Sequence, residues 1–329
     1  DNVAFNEGPV IEQFAPASGD KPDFYEVKEI KSVISLKAET HNFPTTVEPF
    51  NGAATGSGGE IRDRLGGGKS SLPIAGTAVY MTSYPRTEGA REWEKILDPR
   101  PWLYQTPEQI LIKASIGASD FGNKFGQPLI CGCLLYTSDA ADENKKKYAY
   151  DKVIMLAGGV GYANMRDALK GDPAPGEKVV LLGGDNYRIG MGGGAVSSVN
   201  TGQYTSGIEL NAVQRANPEM QKRVSNVIRA IAESDNNPVI SIHDHGAGGH
   251  LNCLSELVEA TGGHIDMSQL PVGDPTLSAK EIVGNESQER MGLLMKEEDV
   301  ARVQRIADRE RSPMYVVGET TGDHRFAFQ

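Results

Sequence analysis

Cysteine is scarce in this sequence, and long apolar runs are absent from it. Three cysteines occur among 329 residues, Cys131, Cys133 and Cys253. The first two are too close together for an ordinary disulfide, and no companion ligands are spaced for a metal, so we expect reduced thiols and a cytoplasmic location. No apolar run reaches the ~20 residues that a membrane-spanning helix needs, and the first ten residues lack the basic start and apolar segment of a signal peptide. These features predict a protein without a membrane partner.

Basic residues are also in the minority. The sequence has 33 Lys and Arg against 44 Asp and Glu, which gives a formal net charge of −11. A general nucleic-acid binder needs a basic field to attract the phosphate backbone, so this balance predicts no nucleic-acid partner. A smaller phosphate-bearing ligand is still compatible with it, provided that Arg or Lys, backbone N–H groups and bound cations are placed locally.

The length suggests two domains, at ~100–200 residues each. Apolar runs typical of strands alternate with helical patterns, which predicts an α/β or α+β class. A polar run, SDAADENKKK at 138–147, separates the two halves. We therefore predict a leader or linker remnant at 1–30, one domain at 31–148 and a second domain at 149–329.

Capping signals mark where several helices begin. Thr106, followed by proline, begins an apolar-striped segment at 106–126, and Asn217, again followed by proline, begins an amphipathic segment at 217–235. Both patterns are typical of helix starts, because the cap side chain accepts a hydrogen bond from the first turn and proline fits the first helical position. A third helix, after the glycines of HDHGAGG, is expected to turn Leu251 toward the core.

The stretch KAETHNFP, which starts at Lys37, places three chemically active side chains at every second position. Alternate residues of a strand share one face, so Lys37, Glu39 and His41 are predicted to point together. Glutamate oxygens suit Mg²⁺, and histidine exchanges protons near neutral pH. The alternative is an ordinary solvated strand face.

A glycine-rich stretch, GAATGSGGEIRD at 52–63, follows directly. It is predicted to open as a turn and to continue as a helix whose free N–H groups face an anion. Arg62 offers a fork of donors for a phosphate, and Asp63 offers a second metal ligand. Glycine-rich turns are also common without any ligand, but the two stretches together favour a functional site.

A second glycine-rich stretch, LLGGDNYRIGMGGGAVSS at 181–198, lies in the second half. It lacks the Gly-Lys-Ser/Thr ending of a P-loop and the spacing of a dinucleotide-binding fingerprint. A loop wrapped on phosphates through its backbone N–H groups and a set of plain turns both remain open.

Two further polar clusters follow in the second half. Asp244 ends a buried strand and is predicted to be a Mg²⁺ ligand. Its neighbours His243 and His245 are expected to be hydrogen-bonded strand residues, since no third ligand is spaced for zinc. The run at 285–288, NESQ, suits either a polar ligand or a capping turn.

Six motifs occur in this order: KAETHNFPT, GAATGSGGEIRD, GGDNYRIGMGGGA, VQRANPEMQKR, HDHGAGG and NESQER. As a set they resemble the phosphoribosylformylglycinamidine synthase family of the large, single-chain type. The resemblance covers residues 30–329. It implies a two-domain fold like aminoimidazole ribonucleotide synthetase, with an N-terminal domain that shares a β-barrel with a second copy and a C-terminal α/β sandwich. It also implies a C–N ligase of purine biosynthesis, in which ATP phosphorylates the amide oxygen of formylglycinamide ribonucleotide and ammonia then displaces phosphate.

The same resemblance implies roles for individual residues. His41 becomes the general acid or base. The implied ATP contacts are Lys37, Gly183, Gly184, Asp185, Asn186, Gly190, Gly192, Gly193, Gly194 and Ala195. The implied substrate contacts are Thr40, Asn42, Arg62, Gln214, Glu286, Ser287 and Gln288. The implied Mg²⁺ ligands are Glu39, Asp63 and Asp244.

The sequence also departs from the family. Relatives obtain ammonia from a glutaminase domain and complete the barrel with a second synthetase half, and this sequence contains neither. We therefore expect a piece of a longer polypeptide that is weakly active or inactive alone. Phe43 stands where many relatives carry a second histidine, and the run at 133–143 does not resemble the family's strand.

Two alternatives to this function stay open. Another enzyme of the same superfamily would phosphorylate a different small molecule with ATP. A non-catalytic nucleotide-binding module would act only as a scaffold within an assembly.

Overall fold

The computed structural model describes residues 3–85, 103–137, 141–143, 146–148 and 150–329. In the first half the strands are β1 (Ala4–Pro16), β2 (Tyr25–Thr40), β3 (Leu72–Ser83), β4 (Leu129–Thr137), β5 (Ala141–Glu143), β6 (Lys146–Tyr148) and β7 (Ile154–Asn164). In the second half they are β8 (Lys178–Leu182), β9 (Ser241–Asp244), β10 (Gly263–Ile265), β11 (Met291–Met295), β12 (Met314–Thr320) and β13 (Phe326–Phe328). The helices are α1 (Asn42–Val47), α2 (Pro49–Leu65), α3 (Pro107–Phe125), α4 (Gly193–Ser197), α5 (Ser206–Asn211), α6 (Pro218–Ala232), α7 (Gly249–Leu257), α8 (Ala279–Gly284) and α9 (Glu297–Glu310).

These strands form two large sheets of mixed direction. The first has the order β1-β2-β7-β3-β4, and the second has the order β13-β10-β12-β8-β11-β9. Strands β5 and β6 pair only with each other. The α/β class predicted from the alternation of elements is confirmed.

The predicted capping signals have the expected geometry. The Thr106 side chain accepts a hydrogen bond from the Gln109 amide, and α3 ends at Gly126 with a left-handed φ of 92°. The Asn217 side chain accepts from the Met220 amide at the start of α6. Local sequence therefore determines these helix ends, because each cap satisfies an N–H group that the helix leaves free.

The first sheet differs from the predicted boundaries at both ends. Residues 4–16, predicted as a leader or linker, form β1 and pair with β2 from Ala4 opposite Leu36 to Pro16 opposite Tyr25. Strand β7, predicted in the second domain, lies between β2 and β3. The chain therefore passes from the first sheet to the second between β7 and β8. A polar run cannot reveal this, because strand pairing is decided by distant partners.

Two local expectations are also corrected. The turn predicted at the start of the glycine-rich stretch 52–63 lies inside α2, which already begins at Pro49. Its glycines and those of α3 permit close approach, since a Cβ on Gly117 would lie 2.1 Å from the Phe50 carbonyl oxygen. Leu251 is 49% exposed rather than buried, because the start of α7 at Gly249 turns other positions toward the core.

Two apolar cores lie on the two faces of the second sheet. Alternation along β8 sends Val180 and Leu182 to one core and Val179 and Leu181 to the other. The first core also contains residues of α2 and α3, together with residues of α6 and α9: Ile61, Leu65, Phe121, Phe125, Val224, Ile228, Val303 and Ile306. Both halves therefore contribute to one core, in which α2 packs against elements of the second half.

Two predictions about the whole chain can be compared with this fold. None of the helices in the described residues combines the length and the apolar composition of a membrane span. Cys253 is buried and free of a disulfide, as expected. The side chains of Cys131 and Cys133 lie outside the described residues.

A buried polar network fastens α2 to the first sheet. The Arg64 Nε donates to Glu60 Oε2 at 2.8 Å, and the side-chain Nε2 of Gln127 donates to Glu60 Oε1 at 2.6 Å. The Arg64 Nη1 reaches the Val160 carbonyl oxygen of β7 at 2.5 Å. Burial raises the pKa of Glu60 to about 7, and the neighbouring Arg64 opposes that rise.

Replacing Arg64 by methionine is expected to lower the free energy of unfolding by about 3–5 kcal/mol, because it leaves the Glu60 carboxylate buried without its cation. Urea denaturation measures this. The control is Lys124→Met, which breaks an exposed pair of the same i,i+4 spacing with Asp120 and should cost about 0.5 kcal/mol or less. Equal losses in the two variants would contradict the assignment.

Candidate functional site

A cavity of about 210 Å³ lies where α1, α2, α4 and the ends of β2 and β9 meet the neighbouring loops. The predicted site residues that line it are Glu39, Thr40, His41, Arg62, Gly193, Gly194, Gln214, Asp244, Glu286 and Gln288. Pro44, Thr55, Gly59, Ser197, Gly246 and Ala247 also line it, and sequence reasoning did not single them out. The two glycine-rich stretches, more than a hundred residues apart, therefore converge beside His41.

His41 follows β2 and caps α1, and its backbone is held on both sides. Its amide donates to the Met155 carbonyl at 3.0 Å, and the Thr45 hydroxyl donates to the His41 carbonyl at 2.6 Å. The Nδ1 atom lies 2.7 Å from the Gly52 carbonyl oxygen. A carbonyl can only accept, so Nδ1 carries the proton and Nε2 keeps its lone pair.

The surroundings of His41 keep its imidazole neutral. Burial lowers the pKa of His41 to about 4, the hydrogen bond to Gly52 partly opposes this, and the Arg62 cation lowers it further. A side-chain hydrogen bond with Gln214 also partly opposes the lowering of this pKa. At neutral pH His41 is therefore able to accept a proton at Nε2.

Three carboxylates gather beside the cavity. Burial raises the pKa of Asp244 to about 8, and the nearby Asp63 carboxylate adds to that rise. Burial also raises the pKa of Glu39 well above its usual range, again with a contribution from Asp63. Two cations offset this charge, since Lys37 pairs with Asp63 at 2.7 Å and Arg62 lowers the pKa of both neighbours.

The donor chemistry of these carboxylates suits Mg²⁺, which prefers oxygen ligands. Throughout the described ranges, no group of three or more His, Cys, Asp or Glu is arranged to hold a metal ion. Mg²⁺ commonly uses one or two carboxylates together with substrate phosphates and water. Glu39, Asp63 and Asp244 therefore fit a cation that arrives with a phosphate ligand better than a ready-made cage, and their role as ligands stays a prediction.

Arg62 is buried, and both ends of its fork are occupied. Its Nη1 donates to Gln221 Oε1 at 2.7 Å, and its Nη2 donates to Gln288 Oε1. The fork that we predicted for a substrate phosphate is thus held by two amides. Only Nε lacks a partner among the described residues.

Glu286 connects the loops around the cavity. Its Oε1 accepts from the Gly194 and Gly248 amides, each at 3.1 Å, and its Oε2 accepts from the Gln214 side chain at 2.8 Å. A Cβ on Gly193 would lie 2.4 Å from Oε2, so glycine is required there for this approach. Glu286 thereby holds three separate segments at one place.

The remaining predicted residues do not line the cavity. Among the predicted ATP contacts, Asp185 accepts from the Tyr315 hydroxyl at 3.2 Å. Five more predicted ATP contacts lie along the second glycine-rich stretch at 181–198: Gly183, Gly184, Gly190, Gly192 and Ala195. Asn42 accepts from the Met155 amide at 3.0 Å, and the Ser287 amide donates to the Asn285 side chain. Their ligand roles stay predictions.

A buried network behind the cavity was missed from sequence. Arg290 Nη1 donates to Asn186 Oδ1 at 2.5 Å and lies 2.9 Å from His250 Nε2. His250 Nδ1 lies 3.0 Å from His245 Nε2. The hydrogen-bonded state expected for His245 is thus confirmed, and it also holds for His243, which pairs with Glu256. No sequence signal predicted the partners, because they come from separate elements.

Residues 174–329 match the family model described as AIR synthase related protein, C-terminal domain. Over 99% of its length the chain is 41% identical to a phosphoribosylformylglycinamidine synthase from Drosophila melanogaster, of which it covers 24%. The predicted family resemblance is confirmed. The chain spans about a quarter of the length of the curated relatives it matches.

The fold is similar to that of solved structures. Thermotoga maritima PurL complexed with FGAR superposes with a TM-score of 0.73 at 25% identity, covering 91% of this chain and 43% of that chain. The same protein complexed with ATP gives a TM-score of 0.67 at 24% identity, over 91% of this chain and 42% of that chain. The two-domain α/β fold that the synthase resemblance implied is confirmed.

Phe43, which departs from the synthase family, is 1% exposed and packs in an apolar cluster. Lys152 lies over its ring, 5.5 Å from the centroid. The Phe43 side chain therefore contributes to apolar packing. The imidazole that lines the cavity is that of His41.

We expect His41 to remain neutral, with its proton on Nδ1, when the pH falls from 7 to 5. Its lowered pKa means that only the unfolded chain gains a proton there, so His41 makes the fold less stable as pH falls below 6.5 toward about 4. Long-range ¹H–¹⁵N NMR reports tautomer and charge, and His41→Asn assigns the signal. An imidazolium signal for His41 at pH 6 would contradict this geometry.

Gly59→Ala is expected to destabilise the chain by about 1–3 kcal/mol, because overpacking forces side chains or backbone to move. A Cβ there would lie 2.1 Å from Glu39 Oε1. Gly207→Ala is the matched control, since no described atom lies within 4 Å of its Cβ position, and it should be neutral or stabilising by up to about 1 kcal/mol. Denaturant unfolding compares the two, and similar effects would show that Glu39 does not pack against α2.

Proposed function

We propose that this chain supplies an ATP- and substrate-binding half for the Mg²⁺-dependent amidation of formylglycinamide ribonucleotide, a step of purine biosynthesis. One observation carries the proposal, namely the cavity in which His41, α2, residues 193–194 and Asp244 converge. The similar phosphoribosylformylglycinamidine synthases and the PurL complexes with FGAR and with ATP support the same substrate pair.

The residues of the chain would have different roles, which depend on the charge of each side chain. His41 presents the unprotonated Nε2 of a neutral imidazole to the cavity, so it would accept a proton from the substrate amide. Glu39, Asp63 and Asp244 would hold Mg²⁺, and the paired cations Lys37 and Arg62 keep these carboxylates from repelling one another. Developing negative charge would be stabilised by fixed donors and by the cation.

Ligands absent from the structure would supply the remaining chemistry. Bound ATP would provide the phosphoryl group that activates the amide oxygen, and Mg²⁺ would offset the charge of its phosphates. Ammonia from a glutaminase domain, a second synthetase half that completes the barrel, and a cytoplasmic location belong to the same proposal. Without those parts the chain should turn over weakly or not at all.

Turnover tests the proposal in a chimera where this chain replaces the matching quarter of the Drosophila melanogaster synthase. We expect ADP release that requires formylglycinamide ribonucleotide, ammonium and Mg²⁺ together. His41→Ala should lower kcat by about 10²–10⁴-fold, the usual contribution of a general acid or base. His324→Asn is the control, because His324 is exposed and its left-handed φ of 56° tolerates asparagine.

Two outcomes would favour the alternatives. ATP cleavage that ignores formylglycinamide ribonucleotide but responds to another small acceptor would indicate a different enzyme of the superfamily. Unchanged turnover in His41→Ala would indicate a scaffold role for this chain.

A further inference from the structure

The buried face of α6 carries one side chain that an apolar core does not require. Gln221 shares this face with Val224 and Ile228, which belong to the core between the two halves, and it is only 1% exposed. Buried polar groups in folded proteins are nearly always hydrogen-bonded, and the partners of the Gln221 amide come from α2. A polar residue of the second half thus reaches a helix of the first half.

The Gln221 amide uses both of its polar atoms. Its Oε1 accepts from Arg62 Nη1 at 2.7 Å, and its Nε2 donates to the Gly58 carbonyl oxygen at 2.9 Å. Arginine can only donate and a carbonyl can only accept, so the amide fits in a single orientation. The Asn217 cap, which accepts from the Met220 amide, fixes the start of α6 next to Gln221. The place of this helix start therefore determines where Arg62 Nη1 is held.

Arg62 depends on such contacts because of its surroundings. It lines the cavity and is 3% exposed, and the charges of the Asp244 and Glu39 carboxylates act on it. A long arginine side chain has large rotamer freedom, so without fixed partners it would be free to move toward either carboxylate. Gln221 holds Nη1 and Gln288 holds Nη2, so neutral groups fix both ends of the fork and leave its positive charge uncancelled.

Arg64, two positions further along α2, is held in a different way. Its Nε donates to the Glu60 carboxylate at 2.8 Å, so the partner comes from the same helix and offsets the arginine charge. Arg62 instead obtains its partner from α6, on the other side of the shared core. The position of Arg62 therefore depends on how the two halves pack, and that of Arg64 does not depend on α6.

We propose that Gln221 is a positioning residue that orients Arg62 toward the cavity, although Gln221 is not one of the described residues that line it. The packing of α6 on α2 is thereby coupled to the substrate contact that Arg62 is predicted to make. The inference rests on the proposed function for this substrate contact, whereas the hydrogen bond between Gln221 and Arg62 is independent of it.

Motion of the Arg62 side chain gives a test that needs no substrate. In the full chain labelled with ¹⁵N-arginine, NMR follows the exchange between the two Nη groups, which requires rotation about the Nε–Cζ bond. Gln221→Met removes both amide contacts at similar volume and should speed this exchange about tenfold or more, the effect of losing a hydrogen bond to a charged group. Arg62→Met assigns the signals. Gln304→Met is the matched control, because Gln304 lies on α9 and donates to Asp308.

Steady-state kinetics in the chimera give the second test. Gln221→Met should raise the KM for formylglycinamide ribonucleotide about 10–10²-fold, the effect of misplacing a binding group by roughly 1 Å, and leave the KM for ATP unchanged. A merely structural role would lower kcat through loss of folded enzyme without this selectivity for one substrate. Gln221→Glu keeps an oxygen for Arg62 Nη1 and should hold the KM close to that of the parent.

Four results would overturn the inference. These are parent-like exchange at Arg62 in Gln221→Met, an unchanged KM for formylglycinamide ribonucleotide, an equal rise in both KM values, or a KM in Gln221→Glu as high as in Gln221→Met. The proposed function fails separately. A parent chimera that never releases ADP rejects the function, and exchange at Arg62 then still decides whether Gln221 holds this side chain. Turnover in the parent with unchanged KM values in Gln221→Met keeps the function and rejects the inference.

Discussion

The burial of helix α2 between the two halves is the constraint on which the rest of the site depends. Nearly every residue from Gly52 to Leu65 is inaccessible to solvent, although the segment carries two arginines, a glutamate and an aspartate. Each of these groups must find its partner inside the protein, because an unpaired buried charge is costly. Arg64 finds Glu60 and β7, Arg62 finds two glutamines, and Asp63 finds Lys37.

Glycine makes this burial possible. A Cβ at Gly59 would meet the Glu39 carboxylate, and one at Gly52 would lie 2.3 Å from the Thr45 amide nitrogen. Glycine lowers helix propensity by about 1 kcal/mol per residue, so an isolated α2 would be a poor helix. The shared core that includes Ile61 and Leu65 compensates, and tertiary packing converts an apparent turn sequence into the central helix of the site.

Glu286 has a comparable role on the opposite wall of the cavity. Its carboxylate accepts hydrogen bonds from the amide of Gly194 in α4, from the amide of Gly248 before α7 and from the Gln214 side chain. An internal anion thus occupies N–H groups of the kind that glycine-rich loops offer to phosphates. Glycine-rich sequence alone is therefore compatible with both a phosphate-binding loop and plain turns. In this structure the backbone donors at Gly194 and Gly248 bind a protein carboxylate.

Much of this protein could be derived from its sequence, where a short-range rule applies. Helix starts at Thr106 and Asn217 follow from caps within three residues. Strand alternation correctly placed Lys37 and Glu39 near the same aspartate, Asp63, whereas His41 lies just beyond the end of β2. The tertiary structure alone decided the place of β7 in the first sheet, the capture of the Arg62 fork by Gln221 and Gln288, and the pairing of Asn186 with Arg290. Each of these depends on partners tens to hundreds of residues away. Local sequence determines which conformations and chemical groups are present, but only the packed chain decides which buried groups pair with one another, because the partners come from distant segments.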